Sequence, residues 1–232
     1  QIQDCLDSWK KHLPSYEIIL WDTKRFNIHE VPWVEQAFNT KKYAFAADYI
    51  RLYALYHHGG IYLDSDVEIL KSLDNFLELP YFVGAETSGT IEAAILGAEK
   101  GCDWIKCCLD YYEGRNFIRE DGSYDIRMLP EILNETILRL KPVINMPSGS
   151  NIDDLKKKDL GEAVYVLPKE YFSPKVFDSR EVFLTPETHA IHHYQNSWFS
   201  HKAFAYYRTR TLFIKIFGYK AVRSLEKMLL KR

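Results

Sequence analysis

The stretch that most constrains this chain is HHGGIYLDSDVEIL, running from His57 to Leu70. Two adjacent glycines, Gly59 and Gly60, supply the left-handed stop at which helices commonly end. A short apolar run follows, Ile61-Tyr62-Leu63, which reads as a buried strand, and behind it stand two carboxylates, Asp64 and Asp66. Paired negative charge is poorly placed inside a strand and well placed where a strand ends at a cleft. In open α/β sheets ligands gather beyond the carboxyl ends of the strands, and these aspartates fall there.

The rest of the chain supports an α/β reading. Ile2 to Leu13 has helical spacing and stops before Pro14, and Tyr16 to Trp21 reads as a strand. Trp33 to His58 is mostly helical, with Ala44, Ala47, Leu52 and Leu55 as its packing face. Tyr81 to Gly84 and Val164 to Leu167 read as strands, and Ala93 to Ala98 fits either strand or helix. Asp103 to Tyr112 and Arg127 to Leu140 read as helices, with Pro130 tolerated near the start of the second. Helices alternating with short apolar strands indicate a mixed, mostly parallel sheet flanked by helices.

At 232 residues the chain can bury a substantial core, and 47% apolar with 27% charged residues marks it as globular. A net charge of −2 gives no overall basic bias toward nucleic acid. The four cysteines, Cys5, Cys102, Cys107 and Cys108, have neither CxxC nor metal-type spacing and read as reduced. No stretch approaches the ~20 apolar residues of a membrane span and no signal peptide is evident. The expected setting is cytoplasmic, at most peripheral to the inner face of the cell membrane.

Two aspartates at i and i+2 past a strand end can face one cavity if the chain turns there. Alone they repel, so that one holds its proton. A divalent cation removes that penalty, and hard oxygen ligands suit Mg²⁺ or Mn²⁺. Such an ion takes phosphate oxygens as further ligands, so the chemistry points to a phosphate-bearing substrate. DxD alone is a common tripeptide, and without context a solvated turn is the commoner explanation. The context is more specific. Upstream, in KKYAFAADYIRLYALYHHGG, Asp48 and Arg51 lie three residues apart on a helix face that otherwise packs. An ordinary surface ion pair there would contribute a few tenths of a kcal/mol, about 0.2–0.5. At the edge of a packed face, the pair could instead hold ligand hydroxyls.

The run KKYAFAADYIRLYALYHHGGIYLDSDVEILKSLDNFL resembles glycosyltransferase family 32, the sugar-binding region containing the DxD motif. That family includes bacterial capsule and lipopolysaccharide sugar transferases and yeast-type initiating mannosyltransferases. The specific part spans Ala44 to Asp66, with weaker similarity in SWKKHLPSYEIILWD, EYFSP and HAIHHYQNSW. The resemblance implies a GT-A fold and a metal-dependent, retaining transferase. It would move a sugar from a nucleotide-diphosphate donor, a UDP-sugar ahead of a GDP-sugar, to a glycan or lipid-linked saccharide in surface polysaccharide synthesis. By matching position, Asp48 and Arg51 would grip donor hydroxyls, Asp64 would hold the ribose and reach the metal through water, and Asp66 would bind Mn²⁺ or Mg²⁺ directly. In IHHYQNSWF, His193 is the first choice for a metal or phosphate contact and His192 the alternative, with Ser197 and Trp198 capping the leaving group. His189 is expected in a core or surface role. The family's usual first strand, of the type IPKIIHYxW, has no counterpart in the sequence from Gln1, so no base-stacking residue is assigned. Residues 1–207 are expected to form the catalytic domain.

From Arg208 to Arg232 there are eight Lys or Arg and one acid, interleaved with Leu212, Phe213, Ile216, Phe217, Leu225, Met228 and Leu229. A basic amphipathic helix suits either an anionic membrane surface or the flank of the catalytic core. DDLKKKD, near Asp153, reads as a solvated turn. Two rival functions remain open. IYLDSDVEIL also fits the first motif of haloacid-dehalogenase-type phosphohydrolases, with Asp64 as nucleophile and Asp66 as acid/base. That reading needs a later strand-borne acidic pair, and Asp153-Asp154, behind the loop Pro147 to Ser150, supplies a poor one. The other rival is a non-catalytic sugar-nucleotide-binding protein.

Overall fold

The computed structural model describes residues 1–87, 89–176 and 180–195, together with Thr209, Phe213 and Ile216. The chain opens with helix α1 (Ile2–His12), whose buried Cys5 and Trp9 face inward. The mostly helical stretch from Trp33 comprises two helices, α2 (Pro32–Asn39) and α3 (Tyr43–His58). Thr40 causes the break: its hydroxyl bonds back to the carbonyls of Gln36 and Ala37, and Lys41 then takes a left-handed φ of 60°. α3 ends as the glycines require, with Gly59 at φ 72° and its N–H on Leu55 O.

Strands β1 (Gly60–Leu63) and β2 (Val67–Ile69) flank the acidic turn, and β3 (Tyr81–Ala85) and β4 (Ile91–Ala98) form a hairpin. Then come α4 (Asp103–Asp110), α5 (Leu129–Leu140), β5 (Val143–Asn145), α6 (Ile152–Lys156), β6 (Val164–Val166) and β7 (Ala190–His192). The principal sheet has the order β1-β4-β3 and both of its pairings are antiparallel. The expected mostly parallel sheet is therefore corrected to a mixed one. The short link between β3 and β4 allows only a hairpin, since a parallel crossover needs a dozen or more residues. Parallel pairing does occur between β5 and β6, and a parallel bridge at Gly84–Leu167 ties that pair to β3. β2 pairs antiparallel with β7.

Two further expectations change. Tyr16 to Trp21 is extended but unpaired: among the described residues, no backbone hydrogen bond joins Glu17–Trp21 to a neighbouring strand. Ile18, Ile19 and Leu20 stay exposed there, and a strand without a neighbour cannot satisfy its N–H and C=O groups by pairing. The first part of DDLKKKD, Asp153 to Lys156, is not a solvated turn but belongs to helix α6, which opens with a reciprocal Asn151–Asp154 capping box and is anchored by fully buried Leu155, while Lys157 to Asp159 are an exposed turn as expected. Ala93 to Ala98 resolves as strand, because all eight residues of β4 are buried between two apolar layers. One layer holds Trp33, Leu52, Leu55, Trp104 and α5; the other holds Trp9, Val67, Phe76, Phe172 and Leu167. All four cysteines are free.

α1 bears directly on the acidic turn. Trp9 Nε1 donates to Val67 O at 2.7 Å, and Ile69 N donates to Ser8 Oγ at 2.9 Å. These two bonds lock β2 to α1 and fix the strand that leaves Asp66.

Candidate cation and sugar-nucleotide site

The acidic pair sits on a tight turn between two strands belonging to different sheets. Asp64 N donates to Ala94 O at 2.8 Å, which continues the β1–β4 ladder by one residue. Val67 N then donates to Asp64 O at 3.0 Å, closing a turn with Ser65 and Asp66 at its centre. On the far side, β7 lies in register with β2 so that His192 faces Val67. His193 N donates to Asp66 O at 3.0 Å and Gln195 N to Asp66 Oδ2 at 2.8 Å. The late His-His segment is thus laced to the DxD turn along its backbone.

That register decides between the two histidines. Successive residues of a strand face opposite ways, so only one of the pair can look toward the aspartates. It is His192, the alternative in the sequence reading. Ligand atoms of Asp64, Asp66 and His192 all lie within 4.8 Å of one another, with His192 Nε2 3.7 Å from Asp66 Oδ2. His193, the first choice, turns elsewhere: its Nε2 is 2.8 Å from Glu68 Oε2 and its Nδ1 3.2 Å from Lys175 Nζ. His189 stacks on Tyr171 with ring planes 2° apart, a packing role. Ser197 and Trp198 lie outside the described residues, as does the segment 208–232 apart from Thr209, Phe213 and Ile216.

Asp48 and Arg51 stand behind Asp64. Only 6% of the Arg51 side chain is exposed, and protein groups occupy its guanidinium. It reaches Asp48 Oδ1 at 3.1 Å, both oxygens of Asp64 at 3.4 Å and Ala93 O at 2.7 Å, and lies 4.7 Å from the centre of the Tyr62 ring. Tyr62 also donates its hydroxyl to Asp64 Oδ1 at 2.6 Å. Burial raises the Asp48 carboxyl, and Asp64 adds to this against the pull of Arg51, to about 7. The pair therefore holds Asp64 in place from beneath.

Sequence reasoning missed Glu92. It is 3% exposed in the middle of buried β4, and its Oε2 meets Ser173 Oγ at 2.6 Å, His192 Nδ1 at 3.1 Å and the Tyr194 hydroxyl at 3.3 Å. Burial alone would push its carboxyl up, but the His192 charge and the converging donors bring it down to about 2. Burial likewise depresses His192, yet Glu92, then Asp66 and Asp64, outweigh it and raise the imidazole to about 9. The available signal was a lone acid inside IEAAILGA.

Two carboxylates and an imidazole nitrogen converging from a strand end fit a divalent cation. The two oxygen donors suit hard divalent ions such as Mg²⁺ and Mn²⁺. The pair offered for the phosphohydrolase alternative, Asp153 and Asp154, lies in the first turn of α6 rather than on a strand.

Fold and site together define an α/β protein with an acidic, cation-ready turn at a strand end. Residues 1–83 match the family described as the glycosyltransferase sugar-binding region containing the DXD motif. Over that region, 83 of its 232 residues, the chain is similar to the DXD-containing glycosyltransferases. Among its relatives, inositol phosphoceramide mannosyltransferase 3 of Schizosaccharomyces pombe is 34% identical over 92 residues, 38% of this chain and 26% of that one. Mannosyl phosphorylinositol ceramide synthase SUR1 of Saccharomyces cerevisiae is 33% identical over 100 residues, 41% of this chain and 25% of that one. The chain thus spans about a quarter of these relatives' length. A solved structure, PaToxG Glycosyltransferase, shares 19% identity at a TM-score of 0.43, covering 60% of this chain and 62% of that one.

Proposed function

We propose that this protein is a metal-dependent glycosyltransferase of GT-A type that moves a hexose from a nucleoside-diphosphate donor to a glycan or lipid-linked saccharide. The convergence of Asp64, Asp66 and His192 carries this reading. A divalent ion bound there would clamp the donor diphosphate and offset the charge that develops as the glycosidic bond breaks. The chain's own contribution is positioning. Arg51 and Tyr62 fix the Asp64 carboxylate, while the backbone of Gln195 fixes Asp66. The mannosyltransferase names of the fungal relatives make mannose the first sugar to try, beside the UDP-sugars favoured by the sequence.

For stereochemistry we favour retention by front-face attack, in which the departing phosphate takes the proton of the acceptor hydroxyl. A double displacement needs a free carboxylate beneath the sugar. The carboxylates bordering the cluster are engaged: Asp48 with Arg51, Glu68 with His193, and Glu92 with Ser173 and His192. The test is a panel of UDP- and GDP-activated hexoses, mannose included, incubated with the chain and Mn²⁺ and read as released nucleotide. The expected result is Mn²⁺-dependent release from one donor class, abolished in Asp66→Ala. Turnover confined to phosphate monoesters would reinstate the hydrolase, and donor binding without release the non-catalytic binder.

A further inference from the structure

Glu92 presents a physical problem that the site described so far leaves unsolved. It is the one charged residue in an eight-residue strand that is buried throughout. A carboxylate there is costly unless donors converge on it. Four do: Ala94 N on Oε1 at 2.9 Å, and Ser173 Oγ, His192 Nδ1 and the Tyr194 hydroxyl on Oε2. A purely structural strut would need only some of these. One of the four is His192, 100 residues downstream of Glu92, whose opposite nitrogen faces Asp66.

We propose that Glu92 is a positioning residue for the cation site: its carboxylate holds the proton of His192 on Nδ1, leaving Nε2 to bind the ion beside Asp64 and Asp66. This rests on the metal-dependent reading above. An imidazole that can rotate or carry its proton on either nitrogen is a poor ligand. A carboxylate behind it fixes both ring orientation and tautomer and makes the facing nitrogen more basic. Ser173 and Tyr194 in turn fix the carboxylate, so the order runs from the loop after β6, through Glu92, to His192 and the acidic turn.

The experiment is Mn²⁺ titration of the intact chain by calorimetry, for wild type, Glu92→Gln, His192→Ala and the double variant. Loss of such a partner weakens metal binding about 10–100-fold, and Glu92→Gln should do so. In the His192→Ala background the same change should leave affinity within about twofold, since the ligand it orients is gone. Wild-type affinity in Glu92→Gln, or an equal loss in both backgrounds, would overturn the proposal. Should Glu92→Gln not fold, long-range ¹⁵N–¹H spectra of the wild type loaded with diamagnetic Zn²⁺ decide the matter. A His192 proton on Nδ1 supports the proposal and one on Nε2 refutes it. If wild type binds neither ion, the metal-dependent reading falls and this inference with it. Binding that needs Asp66 but ignores Glu92 sinks this inference alone.

Discussion

Arg51→Ala separates a buried structural cation from an ordinary helix-surface ion pair. Exposed pairs contribute about 0–1 kcal/mol, whereas removing one partner of a buried pair costs about 3–5 kcal/mol because the other charge is stranded. The structure places Arg51 in the second class. Its side chain is 6% exposed and that of Asp48 13%, and it also satisfies Ala93 O at the strand next to the acidic turn. Urea unfolding followed by tryptophan fluorescence should therefore show a loss of about 3–5 kcal/mol for Arg51→Ala. Asp48→Asn combined with Arg51→Met removes the more buried charge pair, leaving only the more exposed Asp64 without its cation, and should recover part of that loss, giving a coupling of about 0.5–3 kcal/mol. Arg51→Lys should not rescue, since one ammonium cannot span Asp48, Asp64 and Ala93 O as a planar fork does. A loss for Arg51→Ala below about 1 kcal/mol would refute the reasoning and return Arg51 to the surface-pair class.

Stability of the metal-free protein should depend on pH through the same site. The His192 imidazole, raised from 6.5 to about 9, contributes stability that is fully present below pH 6.5 and lost as pH rises through 9. At roughly 1.4 kcal/mol per pKa unit, that loss is on the order of 3 kcal/mol for the coupled His192–Glu92 pair. Asp48, raised to about 7, adds its own decline between pH 3.8 and 7, so the His192 part is read above pH 7. Thermal melts from pH 7 to 9 should fall for wild type and stay level for His192→Gln; parallel slopes would disprove the assignment. Gly59→Ala should destabilise by more than the ~1 kcal/mol typical of Gly-to-Ala exchange, because φ is 72° and a Cβ would lie 2.8 Å from Lys100 N. A melt unchanged from wild type would contradict that geometry.

The acidic turn was legible in the sequence because everything that builds it is local. Gly59 ends the helix, Ile61 to Leu63 form the strand, and Asp64 and Asp66 follow within three residues. The helix pair Asp48–Arg51 was legible for the same reason, though its role was not. Spacing shows that two side chains share a helix face but not that the guanidinium is filled by Ala93 O and Asp64, which arrive from other strands. The choice between His192 and His193 depended on the β2–β7 register, a long-range pairing that no local pattern encodes. Glu92 was hidden for that reason too, since its partners lie 81 and 100 residues away. The mostly parallel sheet failed because alternating helices and strands suggest crossovers, while β3 and β4 are joined by a turn.

The central claim is that one divalent ion is held by the acidic turn and by the imidazole of His192. Electron spin-echo modulation of the Mn²⁺-loaded chain, with nucleoside diphosphate present, reads this directly as coupling to a coordinated imidazole ¹⁴N. The modulation should be present in wild type, kept in His193→Ala and absent in His192→Ala, with the ion itself lost in Asp66→Ala. Full Mn²⁺ occupancy in Asp66→Ala, or ¹⁴N modulation that survives in His192→Ala, would contradict the account.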